Sequence, residues 1–297
     1  MRRITMPCLG SSLTSLRGIT GTAAMCLVAM CLVLLPATPA PAAATPSPEA
    51  LLKGMLEASG GIDAFHQLGL IKLQYTNEET AKSGKANTTT FTAFASTIDL
   101  ESLRVEMPGG IVVVKNGENG WATMRGKLDT RPQTPTMART TTHFHLLPLL
   151  MPFSLTLKGA ELSNVEAASF EGEPVWKMTL RFPHRFFNNP VMDVDWTVYA
   201  SKKDGSFVAA EYVPPGDYSN IAVEGMRFRY TKVDTVNGVR LPTQALLEGL
   251  DIHGVPNAHV SIVNVKIASV PWDSALFIDP ETLSSMDDDI TIPELQE

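Results

Sequence analysis

From Ile71 onward, apolar residues recur at every second position, in run after run. Ile71, Leu73 and Tyr75 alternate with Lys72, Gln74 and Thr76, and Leu103, Val105 and Met107 alternate with Arg104 and Glu106. Trp176, Met178, Leu180 and Phe182 interleave with Lys177, Thr179 and Arg181. Met192, Val194, Trp196 and Val198 interleave with Asp193, Asp195 and Thr197. Met226, Phe228 and Tyr230 alternate with Arg227, Arg229 and Thr231, and Val260, Ile262 and Val263 lead into Val265 and Ile267. Successive side chains of a strand point to opposite faces, so each run makes an antiparallel strand with one wet and one dry face. Ser83-Gly84, Asn116-Gly117, Asn119-Gly120, Asp204-Gly205 and Asn237-Gly238 punctuate the runs. Asn-Gly and Asp-Gly are strong hairpin signals because both turn positions need positive φ. About ten or eleven strands are expected, and the fold class is mostly β. The expected architecture is one large antiparallel β-sheet curled into an open half-barrel, with short helices packed against or inside it. A sheet this long does not close tightly on itself and must enclose a helix, a lid or a cavity.

Two stretches depart from the period of two. Ser47-Pro48-Glu49 opens a helix: Ser suits the N-cap, Pro the first helical position and Glu the positive helix end. Leu51, Leu52, Met55 and Leu56 then share one face, and Gly60-Gly61 stops the helix. Asp63 is expected to cap a second short turn, Ala64 to Leu68, closed by Gly69. The other stretch runs from Thr134 to Phe153 and is rich in Leu, Met and Pro. Pro135, Pro148 and Pro152 exclude a central strand and restrict any helix to Met137–Leu147. Such a segment packs inside the curved sheet or covers its mouth.

The N-terminus has the layout of a secretory signal peptide. Arg2, Arg3 and Arg17 precede an apolar run, Ala23 to Leu35, and small residues follow Pro36. Cleavage after Ala44 is expected, with Ala42 the next choice. An uncleaved anchor helix and a lipidated Cys26 or Cys31 are the alternatives; Met25 and Met30 stand where a lipidation signal needs a small residue. Residues 1–44 are thus read as a signal peptide, 45–280 as the half-barrel domain, and 281–297 as an acidic tail containing Asp287-Asp288-Asp289. All three cysteines, Cys8, Cys26 and Cys31, lie in the leader. Beyond it the chain has 21 basic and 31 acidic residues and no cysteine. That excludes a disulfide scaffold and a thiolate site, and it argues against nucleic acid as a partner.

Little in the rest advertises chemistry. The chain after the leader contains no G-x-S-x-G, G-x-G-x-x-G, P-loop or H-E-x-x-H, so no cofactor and no catalytic residue is assigned. His143 and His145 form an H-x-H pair whose rings would point the same way on a strand, as zinc ligands can; two ordinary histidines are the simpler reading. Asp193 and Asp195 sit on a wet strand face, where solvation accounts for them. Asn87-Thr88-Thr89 matches the N-glycosylation pattern, which is common by chance. Leu147, Leu150, Met151 and Phe153, with Trp176 and Trp196 on strands, are the candidates for contact with an apolar ligand.

The order of short motifs is informative. Ala58-Ser59-Gly60-Gly61 and Asp63-Ala64-Phe65 precede a strand, and Asn116-Gly117-x-x-Gly120-Trp121 follows. Then come Leu147-Pro148-x-x-Met151-Pro152-Phe153, a Tyr199…Lys203-Asp204-Gly205 turn, Val236-Asn237-Gly238-Val239-Arg240-Leu241-Pro242 and Leu276-Phe277-Ile278-Asp279-Pro280. Over nearly all of Pro48 to Pro280 this resembles the LolA-like superfamily of bacterial outer-membrane lipoprotein-sorting proteins, especially exported members outside the characterised carriers. The resemblance implies an open half-barrel around short helices and an apolar concave face for acyl chains in the periplasm. It carries over no functional residue. The function expected is an exported, periplasmic, non-enzymatic carrier. Its partner would be a lipid, a lipoprotein acyl chain or another hydrophobic small molecule, without stable membrane insertion of the mature chain. The alternatives are an accessory envelope protein acting through a protein partner and a metal-dependent hydrolase using His143 and His145.

Overall fold

The computed structural model describes residues 44–81, 83–182, 195–213 and 225–282. Residues 1–43 of the segment read as a leader lie outside the described residues. So do Met192, Asp193, Val194 and the tail from residue 283.

Helix α1, Pro48–Ala58, starts as its sequence requires. The Ser47 hydroxyl accepts from the Ala50 N–H at 3.2 Å, Pro48 stands in the first turn, and Leu51 and Met55 are buried. Helix α2 is Ile62–Gln67 rather than Ala64 to Leu68. Its N-cap is Gly61, with no side-chain cap, and Asp63 lies inside the first turn. There the carboxylate complements the helix dipole, a role that does not require it to be the cap.

Thirteen strands follow among the described residues. They are β1 Leu70–Thr80, β2 Ala86–Ser96, β3 Ser102–Met107, β4 Ile111–Asn116, β5 Asn119–Met124 and β6 Lys127–Leu128. After a break come β7 Glu161–Phe170, β8 Glu173–Arg181, β9 Trp196–Ser201, β10 Phe207–Tyr212, β11 Gly225–Val236, β12 Val239–Leu250 and β13 Pro256–Val270. All belong to one antiparallel sheet in the order β6-β5-β4-β3-β2-β1-β13-β12-β11-β10-β9-β8-β7. It consists of two meanders joined where β1 pairs with β13, from Leu70 opposite Val270 to Thr80 opposite Val260. The expected fold class is the one found. The strand count exceeds the expected ten or eleven because short strands such as β6 carry too few residues to show a period.

The two ends of the sheet, β6 and β7, do not pair with each other, so the sheet stays open. A bare edge invites pairing with other chains. The β6 edge is only two residues long, and β7 is interrupted between Ser163 and Glu166, where Asn164 adopts φ +54°. Both devices disfavour a further strand.

The alternating runs bury their apolar members on one inner face. Ile71, Leu73, Tyr75, Leu103, Val105, Met178, Leu180, Val198, Val263 and Val265 belong to a single large core. Ile262 instead points outward and is 38% exposed, so only the second half of its run faces inward. A smaller cluster on the opposite face joins Leu70, Val114 and Phe277 with Trp121 and Phe94. It is tied by Trp121 Nε1 and Asn116 Nδ2, both donating to the Phe277 carbonyl at 3.3 Å.

Helix α3 spans Thr134–Leu146, beginning three residues before the expected limit of Met137. Pro135 does not prevent this, since a first-turn proline sacrifices no hydrogen bond. The helix starts hard against β5. A Cβ on Gly120 would lie 2.4 Å from the Pro135 carbonyl oxygen. Gly120→Ala is therefore expected to destabilise the fold by about 1–3 kcal/mol. Gly54, inside α1, has open space around its Cα, so Gly54→Ala should stabilise by about 0.5–1 kcal/mol. Urea unfolding midpoints of the two variants check the opposite signs.

Candidate functional site

The link between the meanders runs through the inside of the curved sheet. Helix α3 packs on β3, β4 and β5, and two 3₁₀ turns follow, Pro148–Leu150 and Phe153–Thr156, the first against β12. Ala138, Thr142, His143, Leu146, Leu147, Leu149 and Leu150 are buried, as are Met151, Phe153 and Leu155. Pro148 cannot continue the helix, so the chain turns there and leaves backbone carbonyls inside the apolar interior. Side-chain hydroxyls meet them. Ser154 Oγ donates to the Leu147 carbonyl at 3.0 Å. Tyr230 of β11 holds its hydroxyl 2.8 Å from the Pro148 carbonyl and 2.9 Å from that of Met151. Burial holds the Tyr230 phenol well above its usual range, so it stays a donor. An unpaired buried carbonyl is costly, which explains why this strand carries Tyr at that position.

A second tie holds α3. Tyr75 of β1 and His145 Nδ1 are 2.8 Å apart, and Phe91 packs on both rings, at 4.9 Å from Tyr75 and 5.0 Å from His145. Burial pushes the His145 pKa down to about 4 and the Tyr75 pKa up. The imidazole is thus neutral near pH 7, and a single hydrogen bond joins the phenol to Nδ1. A third contact is apolar: Phe153 stacks on Phe65 of α2, with centroids 4.0 Å apart and planes 3° from parallel.

Five of the six candidate ligand-contact residues meet here. Leu147, Leu150, Met151, Phe153 and Trp196 are all buried in the main core. Leu147, Met151 and Trp196 line an enclosed cavity with His143, Phe144, Pro148, Phe182 and Met226, and its volume is about 10 Å³. That is room for roughly one water molecule. Leu150 and Phe153 do not line it. Trp176 packs against the same core from β8 but is only half-buried, with the Lys202 ammonium 4.0 Å from its ring centroid. The H-x-H pair sits on a helix rather than a strand. Positions two apart on a helix diverge by roughly 200°, so His143 faces the cavity while His145 faces Tyr75. Among the described residues, no group of three or more His, Cys, Asp or Glu side chains could hold a metal ion. Asp195 is paired with Arg181 at 2.6 Å.

The sequence reading missed Tyr75, Tyr230 and Ser154. The two tyrosines read as ordinary members of the dry face, and only the pairing of distant segments brings Tyr230 under the proline turns and Tyr75 beside α3. Lys115 was missed as well. It is buried on β4 and bonded to the Glu101 carboxylate, so its charge is neutralised within the sheet.

A second hollow lies outside this core. A cleft of about 670 Å³ runs between β5, the Thr130–Pro135 link and the strap ending at Thr282. The Arg131 guanidinium beside Asp129 holds that carboxyl far below the usual range.

No protein-family model matches the chain, and no curated protein matches it in sequence. Solved structures do match. A LolA superfamily protein from Nitrosomonas europaea superposes with a TM-score of 0.54 at 11% identity, covering 80% of this chain and 99% of that one. The chain has the LolA-like fold. A DUF1329 family protein from Desulfovibrio piger gives 0.52 at 10% identity over 80% of this chain and all of the other. A domain from Vibrio parahaemolyticus, described as outer membrane lipoprotein-sorting, gives 0.50 at 7% identity over 78% and 98%. At such identities the likeness is one of architecture, and the LolA-like sheet is what the chains share.

His145 makes the interior sensitive to acid. Its folded pKa, about 4, is depressed below the ordinary value of 6.5. Between those values the unfolded chain takes up a proton that the folded chain refuses. The full contribution is present above about pH 6.5 and is lost as pH falls toward 4, on the order of 3 kcal/mol. Urea midpoints from pH 8 down to 4 should fall more steeply for the wild type than for His145→Gln. Parallel curves would refute the assignment.

Proposed function

We propose that this chain is an exported, non-enzymatic carrier whose inner sheet face shelters a lipid, a lipoprotein acyl chain or another hydrophobic molecule. One observation carries the reading. The apolar inner face is covered by a separate segment of chain, Thr134–Leu157, rather than by closure of the sheet on itself. The unpaired β6 and β7 edges flank the ends of that segment, so it can move without breaking a sheet ladder. Side-chain hydrogen bonds tie it to the sheet at Tyr75, Tyr230 and Arg139, the last donating to the Glu118 carbonyl at 3.2 Å. Leu147, Leu150, Met151, Phe153 and Trp196 would then exchange contacts with each other for contacts with the ligand, and Trp176 would join from β8. Each methylene removed from water contributes about 0.8 kcal/mol, so a chain of about twelve carbons offsets the loss of several such ties. The leader, the acidic cysteine-free remainder and the description of the Vibrio parahaemolyticus neighbour as lipoprotein-sorting support a periplasmic setting.

The cavity of only about 10 Å³ favours a second reading, an accessory envelope protein whose interior stays filled and which acts through a protein partner. Uptake of a fluorescent fatty acid separates the two. A carrier takes up the probe saturably, and Tyr75→Phe with Tyr230→Phe, which loosen the inner segment, should raise the uptake rate several-fold. Each lost hydroxyl tie is worth about 1 kcal/mol. No uptake by either protein would support the filled-interior reading.

A further inference from the structure

The chain is acidic, yet one stretch is not. Between Asn119 and Ala160, Asp129 is the lone acidic residue, against Arg125, Lys127, Arg131, Arg139 and Lys158. Three of these bases gather at the free edge of the sheet. Met124, Arg125, Lys127, Leu128, Asp129 and Arg131 line a shallow groove of about 490 Å³ on the β5–β6 hairpin. Arg131 is paired with Asp129, at 2.6 Å. Arg125 and Lys127 are exposed, and neither has an ion-pair partner among the described residues.

The turn itself is unusual. Arg125 adopts φ +52° and Gly126 φ +77°, the geometry that Asn237-Gly238 adopts between β11 and β12. Asn or Gly relieves that strain, whereas Arg does not. The Arg125 N–H donates to the Gly110 carbonyl at 2.7 Å, so the backbone is anchored and the side chain is presented outward. Beside it Met124 is 54% exposed, one of the largest apolar exposures in the structure. Strain that places a cation next to an exposed apolar side chain at a sheet edge points to a contact.

We propose that the β5–β6 hairpin docks on an anionic lipid membrane, with Arg125, Lys127 and Arg131 meeting headgroup phosphates and Met124 entering the interface. Two or three clustered bases are too few for a nucleic-acid track, and a methionine among them fits the combination of charge and apolar insertion that interfaces require. The rest of the acidic surface is repelled by the same membrane, so the docking has one orientation. Docking there sets the bilayer beside the start of α3, which follows Leu128 within six residues and bears on Gly120.

Flotation of the purified, exported protein with vesicles tests this. It should bind phosphatidylcholine vesicles containing phosphatidylglycerol, bind phosphatidylcholine alone weakly, and be released by salt. Arg125→Gln with Lys127→Gln should lower the partition coefficient at least about tenfold, and Met124→Ser several-fold with the salt dependence kept. All of these positions are exposed, so thermal melting should match the wild type. Equal binding to both vesicle types, no binding at low salt, or binding unchanged in the charge variant would overturn the proposal. Fatty-acid uptake by the charge variant should equal that of the wild type, so this surface and the interior are tested separately.

Discussion

An open sheet with one dry face must have that face covered. Everything else in this molecule follows from that requirement. A closed barrel covers its interior by pairing its last strand with its first. Here β1 and β13, the first and last strands of the described residues, pair in the middle of the sheet, which puts β6 and β7 at opposite edges. These edges are consecutive in sequence, so the link between them is the segment best placed to cross the interior. That link is the Leu-, Met- and Pro-rich stretch containing α3. Its composition, out of place in a β strand, suits a segment buried on the inner face.

Filling an interior with irregular chain brings polar backbone into an apolar space. Strands and helices satisfy their own amides, but proline turns do not. The sheet answers with single hydroxyls at chosen points, Tyr230 below the first proline turn and Tyr75 beside α3, while the segment supplies Ser154. Each tie is modest and local. The interior is therefore held mainly by apolar packing, with single hydrogen bonds at a few points. The outer strap around Phe277 is held in another way. Backbone carbonyls there receive donors from Trp121, Asn116 and Arg104 on the opposite face, so the two faces are secured independently.

Most of the fold was legible because alternation is a local property. Runs such as Ile71–Tyr75 or Trp176–Phe182 announce a strand and its dry face without reference to any partner. Legibility failed where the signal was short or two-sided. The two-residue β6 has no period, and Ile262 looked like a core residue in a run whose register places it outward. The H-x-H pair depended on a choice between strand and helix. Pro135 argued against a helix before Met137, although in a first turn it is harmless. In the candidate site, the apolar residues of 147–153 were recognisable from composition. Trp176 was not separable from Trp196, because both alternate correctly and both pack on the main core; only the tertiary structure leaves the first half-buried and the second fully buried.

The sequence by itself determined the strands, their dry faces, the helix start at Ser47 and the break in pattern at Thr134. These rest on backbone preferences and on periods of two or 3.6 residues, which neighbouring residues set. The tertiary structure alone decided that Leu70 would lie opposite Val270 and that Tyr75 would meet His145. It also decided that Tyr230 would serve carbonyls some 80 residues away, and that Arg125 and Lys127 would stand together on a free edge. Such meetings depend on loop closures over tens to hundreds of residues, whose outcome is set by the burial of the whole inner face and by no local pattern.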